Sequence, residues 1–128
     1  MNFVFDNKLP VYLQLLEQLR VAIVTGRFLP GEKLPSVREI ALEAKINPNT
    51  VQKALTELEA EGLIYTERTN GKFVSSDTEV IAKTKALLAS EALANYFRQM
   101  KNLGFSKTEA MEYLSTTNKE ENDDSFRM

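Results

Sequence analysis

Apolar residues recur every three or four positions along most of this chain, which is the spacing of one face of an α-helix. The spacing predicts helices over residues 10–25, 36–44, 48–61 and 77–103, and a short helix ending near Thr116. Between the third and fourth helices, two β-prone runs flank an Asn-Gly pair, a strong hairpin signal. We therefore expect a mainly α protein with one small β-hairpin at 63–75.

Polar residues at the predicted helix ends support these boundaries. Ser36 and Glu39 have the spacing of a capping box, in which each side chain bonds a backbone amide of the other residue. Asn47 can cap the third helix and Pro48 suits its first position. Gly62 suits the residue just past its end. The segment L-P-G-E at 29–32 has Pro and Gly where a type II turn requires them.

The order of these elements is helix, extended loop, short helix, tight turn, helix and hairpin, which predicts a winged helix-turn-helix. We expect this domain to cover residues 1–76. The two remaining helices form a second region at 77–117. Residues 118–128 lack apolar periodicity and are expected to be a disordered tail.

The third helix has a polar face suited to DNA, because the second helix of this motif enters the major groove with its first residues nearest the bases. With Val51 facing inward, the opposite face holds Asn49, Lys53 and Thr56, flanked by Thr50 and Gln52. Asn and Gln can pair with adenine, and Lys can reach guanine or phosphate. The three glutamates of the helix lie at its other end. The alternative is an ordinary solvated helix face.

Two further groups of residues fit the same interpretation. Arg38 follows the cap of the second helix, which in this motif crosses the phosphate backbone. Arg68 and Lys72 flank the Asn70-Gly71 tip of the predicted hairpin, as expected of a DNA-binding wing. Each could instead be merely exposed, but the coincidence of all three groups favours DNA binding.

Composition excludes most catalytic chemistry. The 128 residues include no cysteine and no histidine, so disulfides, nucleophilic triads and zinc sites are not expected. We predict no enzyme activity, metal or cofactor. The net charge of −2 does not exclude DNA binding, because residues 1–75 hold nine basic and nine acidic side chains and can still form a local basic face. With no signal peptide or membrane-spanning run apparent, we expect a cytoplasmic protein.

Residues 10–74 resemble the GntR family of bacterial transcriptional regulators. The matching motifs are Y-x-Q-L, G-R-F-x-P-G-E-K-L-P-S-x-R-E-I-A, N-x-N-T-V-x-K-A-L and L-x-x-E-G-L-I followed by G-K-F-V. The resemblance implies DNA contacts from the arginine of L-P-S-x-R, the start of the third helix and the wing glycine. Many members of the family have arginine where this chain has Pro48. The candidate DNA-binding residues are Ser36, Arg38, Asn47, Asn49, Thr50, Gln52, Lys53, Arg68, Asn70, Gly71 and Lys72.

The C-terminal region is similar to the short YtrA-type members of that family, which implies a homodimer formed by these helices and repression of transcription. A second argument does not depend on the resemblance. The fourth helix has a long apolar stripe, and the residues that follow this helix are too few to cover the stripe, which predicts an interface. The candidate dimerisation residues are Ala89, Leu93, Tyr96, Phe97, Met100, Leu103, Met111 and Leu114. The stripe could instead fold back on the first helix.

Two alternatives accompany the prediction of a homodimer on an inverted-repeat DNA operator. A winged helix can serve as a protein-interaction adaptor without binding an operator, although an adaptor would more often have an apolar recognition face. A small-molecule effector of unknown identity could bind at the dimer interface near Tyr96 and Phe97. Aromatic residues at such positions are more often part of a core.

Overall fold

The computed structural model describes residues 1–120 and confirms the predicted order of elements. These residues form α1 (Val11–Val24), α2 (Val37–Ala44), α3 (Pro48–Ala60), β1 (Ile64–Glu67), β2 (Gly71–Val74), α4 (Thr78–Asn102) and α5 (Lys107–Glu120). The last helix is longer than predicted, so residues 118–120 are helical rather than part of a tail. Helical hydrogen bonds between backbone groups do not require an apolar face. The rest of the predicted tail, residues 121–128, lies outside the described residues.

The first three helices and the hairpin enclose one apolar core. The predicted inward faces of α1, α2 and α3 are confirmed as its main contributors. The buried members are Leu15, Leu16, Leu19, Ile23, Leu34, Ile40, Ala41, Val51, Ala54, Leu55, Leu58, Leu63, Ile64 and Val74. No polar or charged side chain among the described residues is buried.

The hairpin is held by more than its own two strands. β1 pairs antiparallel with β2, with Glu67 opposite Gly71. On the other edge of β2, the loop before α2 runs alongside as an extended segment: the Leu34 amide donates to the Lys72 carbonyl at 2.9 Å, and the Val74 amide donates to the Glu32 carbonyl at 2.8 Å. This pairing connects the wing to the loop that leads into the helix-turn-helix.

The chain divides into two compact units, and the division falls inside α4 rather than at residue 76. The first unit is Met1–Ala86 and the second begins at Leu87. Val80 and Ile81 explain the difference, because both pack against the core of the first unit and draw the first turns of α4 into it. The helix itself continues without interruption through the division.

The second unit contains the C-terminal part of α4 and the shorter α5. The Tyr96 hydroxyl donates to the Ala110 carbonyl at 2.7 Å, which ties the two helices together. Met100 and Ala110 are buried in this unit. Ser106 and Glu109 form a capping box at the start of α5, and this bonding holds the pKa of Glu109 below its ordinary value.

The first nine residues have no predicted element, yet they are bonded to α1. The side-chain amide of Gln18 accepts from the Val4 amide at 3.0 Å and donates to the Val4 carbonyl at 2.7 Å. Gln14 makes the same pair of bonds to Asp6. Two glutamines on one face of α1 therefore dock the preceding segment by satisfying its backbone groups.

Candidate nucleic-acid interface

The turn between α2 and α3 sets the direction of α3 relative to α2. Ser36 and Glu39 form the predicted capping box at the start of α2, and these bonds hold the pKa of Glu39 below its ordinary value. α2 ends at Ala44 and is capped by Lys45, which adopts a left-handed conformation with φ 59°. The Asn47 side chain then caps α3 by accepting from the Asn49 amide at 2.8 Å, with Pro48 at the first helical position. The sequence predicts both N-caps, but no feature of the sequence predicts the left-handed conformation of Lys45.

The exposed face of α3 is the face predicted from its periodicity. Asn49, Gln52 and Lys53 are exposed and Thr50 is half-buried. Thr56 is exposed too, and its hydroxyl donates to the Gln52 carbonyl at 2.9 Å and lies 3.3 Å from the amide nitrogen of the Gln52 side chain. The N-terminal half of α3 therefore presents amide, hydroxyl and ammonium groups together.

Lys53 leans toward α1 rather than straight outward. Its ammonium lies 3.9 Å from the centre of the Tyr12 ring, within the range of a cation–π interaction. Tyr12 belongs to the first turn of α1 and is half-buried against the core. These two residues, with Asn49 and Thr50, line an open cleft between the starts of α1 and α3. The sequence alone does not indicate this contact, because it joins residues of two helices that are distant along the chain.

Two of the three glutamates at the far end of α3 are bonded to basic residues of the same unit. Glu59 accepts from the Thr66 hydroxyl at 2.8 Å and from the Lys72 ammonium at 3.2 Å. The bond from Thr66, followed by Lys72, holds the pKa of Glu59 below its ordinary value. Glu61 accepts two bonds from the Arg20 guanidinium, one of them at 2.9 Å from Nε. Both carboxylates are thus neutralised by partners within the domain.

The side chains of the predicted wing residues differ in exposure and in their hydrogen-bond partners. Arg68 is exposed at the tip. Asn70 donates from its side chain to Glu67 at 3.1 Å. Lys72 is half-buried and bonded to Glu59 and Thr66, so its ammonium is directed toward α3.

Lys33 is a basic residue at the wing that sequence analysis did not identify. Gly71 has φ +104°, and a Cβ built there would lie 3.3 Å from Cε of Lys33 and 4.0 Å from its ammonium. The Lys33 side chain therefore lies against the wing at Gly71. Lys33 belongs to the extended stretch that pairs with β2, where it lies opposite Phe73.

α2 contributes two of the candidate residues. Arg38 is exposed, and within residues 1–120 it has no ion pair. The Ser36 hydroxyl accepts from the Glu39 amide at 3.1 Å, so its lone pair serves the cap while its own O–H group remains a potential donor.

The candidate dimerisation residues fall into two groups. Four of the larger side chains are exposed: Leu93 by 52%, Leu103 by 73%, Met111 by 55% and Leu114 by 42%. Ala89 is exposed as well. Met100 is buried, and the Tyr96 hydroxyl is bonded within the same unit. Phe97 is half-buried and lines an open cleft with Lys101, Phe105 and Lys107 at the corner between α4 and α5.

Within residues 1–120, none of the helices combines the length and apolar character that crossing a bilayer requires.

Residues 11–74 match the family described as bacterial regulatory proteins, gntR family. The chain is 40% identical over 112 residues to the HTH-type transcriptional regulator YhcF of Bacillus subtilis, covering 88% of this chain and 93% of YhcF. It is also 41% identical over 85 residues to the HTH-type transcriptional repressor YtrA of Bacillus subtilis, covering 66% of this chain and 65% of YtrA. YhcF is thus similar to this chain beyond the winged helix-turn-helix.

Two solved structures extend the comparison. A GntR family transcriptional regulator from Listeria monocytogenes superposes with a TM-score of 0.79 at 35% identity, covering 88% of this chain and 98% of that one. The DNA-binding domain of AraR in complex with operator ORX1 superposes with a TM-score of 0.53 at 30% identity, covering 56% of this chain and 93% of that one. These similarities favour a DNA-binding regulator over an adaptor or an enzyme. The chain belongs to the GntR family of bacterial regulatory proteins, and it is a DNA-binding transcriptional regulator.

Proposed function

We propose that two copies of this chain bind an inverted-repeat operator and repress transcription, with α3 of each copy in the major groove and the β1–β2 hairpin as the wing beside it. The observation that carries this proposal is the separation of charge along α3. Its first half presents Asn49, Gln52 and Lys53, while Glu59 and Glu61 at the other end are bonded to Lys72 and Arg20.

This separation opposes the usual match of acidic side chains to helix N-termini and basic ones to C-termini. It is favourable when an anion meets the N-terminal end, because the phosphates of DNA then approach the positive end of the helix dipole and avoid the carboxylates. Arg38 and Arg68, both exposed, add two positive charges for phosphate contact from α2 and the wing. Asn49 and Gln52 supply the amides that can pair with adenine.

The exposed apolar side chains of the second unit support the homodimer. Ala89, Leu93, Leu103, Met111 and Leu114 are all exposed, and apolar patches of this kind mark interaction surfaces. We assign Met100 and Tyr96 a supporting role within each copy, because Met100 is buried and the Tyr96 hydroxyl bonds α5. Repression is proposed because the similar protein YtrA is a repressor.

The test is selection of bound sequences from a random duplex pool by the purified protein, together with its mass in solution by light scattering. We expect a dimer and an enriched inverted repeat whose half-sites lie about 34 Å, one duplex turn, or a multiple of that apart. Arg38→Ala and Asn49→Ala should each weaken binding, whereas Lys101→Ala in the second unit removes an exposed charge without that effect. A folded protein that enriches no sequence, or a monomer that enriches a single half-site, would contradict the proposal.

A further inference from the structure

We propose that Tyr12 and Lys53 form one phosphate-binding contact, in which the Tyr12 ring positions the Lys53 ammonium to receive a phosphodiester of the DNA backbone. The inference rests on the proposed mode of DNA binding. It adds Tyr12 as a positioning residue, and it assigns Lys53 to the backbone rather than to a base.

The position of Lys53 on α3 explains the assignment to the backbone. Each residue advances about 100° around an α-helix, so with Val51 facing inward Lys53 lies closer to the outermost line of α3 than Gln52 does, and it is the direction of its side chain that carries the ammonium toward α1. On the other side of that line, Gln52 is bonded to Thr56. The Lys53 side faces α1, where the ammonium meets Tyr12 at 3.9 Å. An ammonium held against α1 in this way lies beside the major groove, near the phosphates, rather than over the base edges.

The Tyr12 ring leaves the ammonium able to bind an anion. A cation–π interaction uses the side of the ammonium that faces the ring, and an ammonium has three N–H donors. Donors directed away from the ring can therefore bond a phosphate oxygen. A lysine side chain loses considerable conformational entropy when binding fixes it. A lysine that is already held in the free protein loses less of this entropy when it binds DNA.

The surroundings of this pair suit an anion. Asn49 and Thr50 line the same cleft and add an amide and a hydroxyl to the ammonium. No acidic residue lies in the first turn of α1 or in the first turn of α3. An entering phosphate therefore meets hydrogen-bond donors and one positive charge, with no carboxylate from either of these two turns.

The test is a double-mutant cycle on the affinity for the selected duplex, using Tyr12→Leu, Lys53→Ala and the double variant. We expect Tyr12→Leu to weaken binding about two- to fivefold when Lys53 is present and to have little further effect in the Lys53→Ala background. Lys53→Ala should reduce the slope of log K against log salt by about 1 and weaken binding to unrelated duplexes to the same degree. Tyr12→Phe keeps the ring and should bind like the unmodified protein.

A second readout does not involve DNA. The ring current of Tyr12 should shift the NMR signals of the Lys53 side chain upfield in the free protein, and Tyr12→Leu should abolish that shift while Tyr12→Phe retains it. Equal losses of affinity from Tyr12→Leu in both backgrounds would overturn the inference, as would full affinity in Tyr12→Leu itself. Failure of the unmodified protein to bind any duplex would instead contradict the proposed function and leave the NMR result to judge the contact.

Discussion

The ammonium of Lys72 lies 3.2 Å from the carboxylate of Glu59, so the second strand of the wing is bonded to the C-terminal half of α3. Thr66 completes the contact from the first strand, since its hydroxyl donates to Glu59 and accepts from Lys72 at 2.8 Å. Three residues from three elements thus fix the wing relative to α3. The contact also removes one carboxylate and one ammonium from the charge that the domain presents to DNA.

We predict that Glu59→Gln makes the fold less sensitive to acid. The pKa of Glu59 is held below its ordinary value, first by the bond from Thr66 and then by Lys72. A carboxyl of this kind stabilises the fold above its unfolded pKa, about 4.3, and this contribution is lost as the pH falls through the lower folded pKa. The Glu59 side chain is 42% exposed, so the stabilisation at neutral pH should not exceed about 1 kcal/mol.

The measurement is the thermal midpoint of both proteins between pH 7 and pH 3. The unmodified protein should lose more stability than Glu59→Gln as the pH falls below about 4, so the two curves converge there. Glu57→Gln is the matched control, since Glu57 is an exposed glutamate of the same helix and, within residues 1–120, has no ion pair. Parallel curves for the unmodified protein and Glu59→Gln would refute the prediction.

A second prediction separates the two basic residues that flank the wing tip. Arg68→Ala should weaken operator binding and reduce the salt slope by about 1, because the exposed guanidinium can neutralise a phosphate. Lys72→Ala should change the salt slope less, because its ammonium already faces Glu59, and should instead increase amide hydrogen exchange in β1 and β2. Salt titrations of affinity with both variants provide the comparison. Equal changes in slope would show that Lys72 leaves Glu59 when DNA binds.

The sequence was sufficient for the fold because its local signals agree with one another. Periodicity identified the buried faces of α1, α2 and α3, and the capping box of Ser36 and Glu39 located the start of α2. The start of α3 followed from the Asn47-Pro48 pair. Each of these signals involves residues within four positions of one another, so no knowledge of the tertiary structure was required.

What the sequence could not predict depends on contacts between residues distant along the chain. The sequence indicates only that Lys53 and Lys72 are basic and exposed. The packing of α1 against α3 brings Lys53 to Tyr12, and the packing of the wing brings Lys72 to Glu59. Lys33 was overlooked because its proximity to Gly71 arises from pairing between a loop and a strand. The packing of Val80 against the core of the first unit, beyond the predicted boundary at residue 76, likewise joins residues distant along the chain.

A third prediction concerns Gly71. Alanine there must adopt φ +104°, where residues with a Cβ are strained, and its Cβ would lie 3.3 Å from Cε of Lys33. We expect Gly71→Ala to destabilise the domain by about 1–3 kcal/mol and to displace Lys33.

Gly26→Ala is the matched control for Gly71→Ala, because Gly26 also has a positive φ, +79°, but within residues 1–120 no atom beyond its chain neighbours lies within 4 Å of the added Cβ. Urea unfolding of both variants should show a larger loss for Gly71→Ala. The prediction fails if the two losses are equal or if Gly26→Ala is the more damaging change.

The last prediction tests the proposed dimer surface against an equally apolar exposed residue elsewhere. Leu93 on α4 and Leu114 on α5 are 52% and 42% exposed, while Leu42 on α2 is 73% exposed. If exposure alone determined association, Leu42→Gln would have the largest effect. We expect instead that the double variant Leu93→Gln/Leu114→Gln raises the dimer dissociation constant at least tenfold while Leu42→Gln leaves it unchanged, because each leucine buried at an interface contributes about 1.5–3 kcal/mol. Sedimentation equilibrium gives both constants, and an unchanged dimer in the double variant would show that the copies associate through another surface.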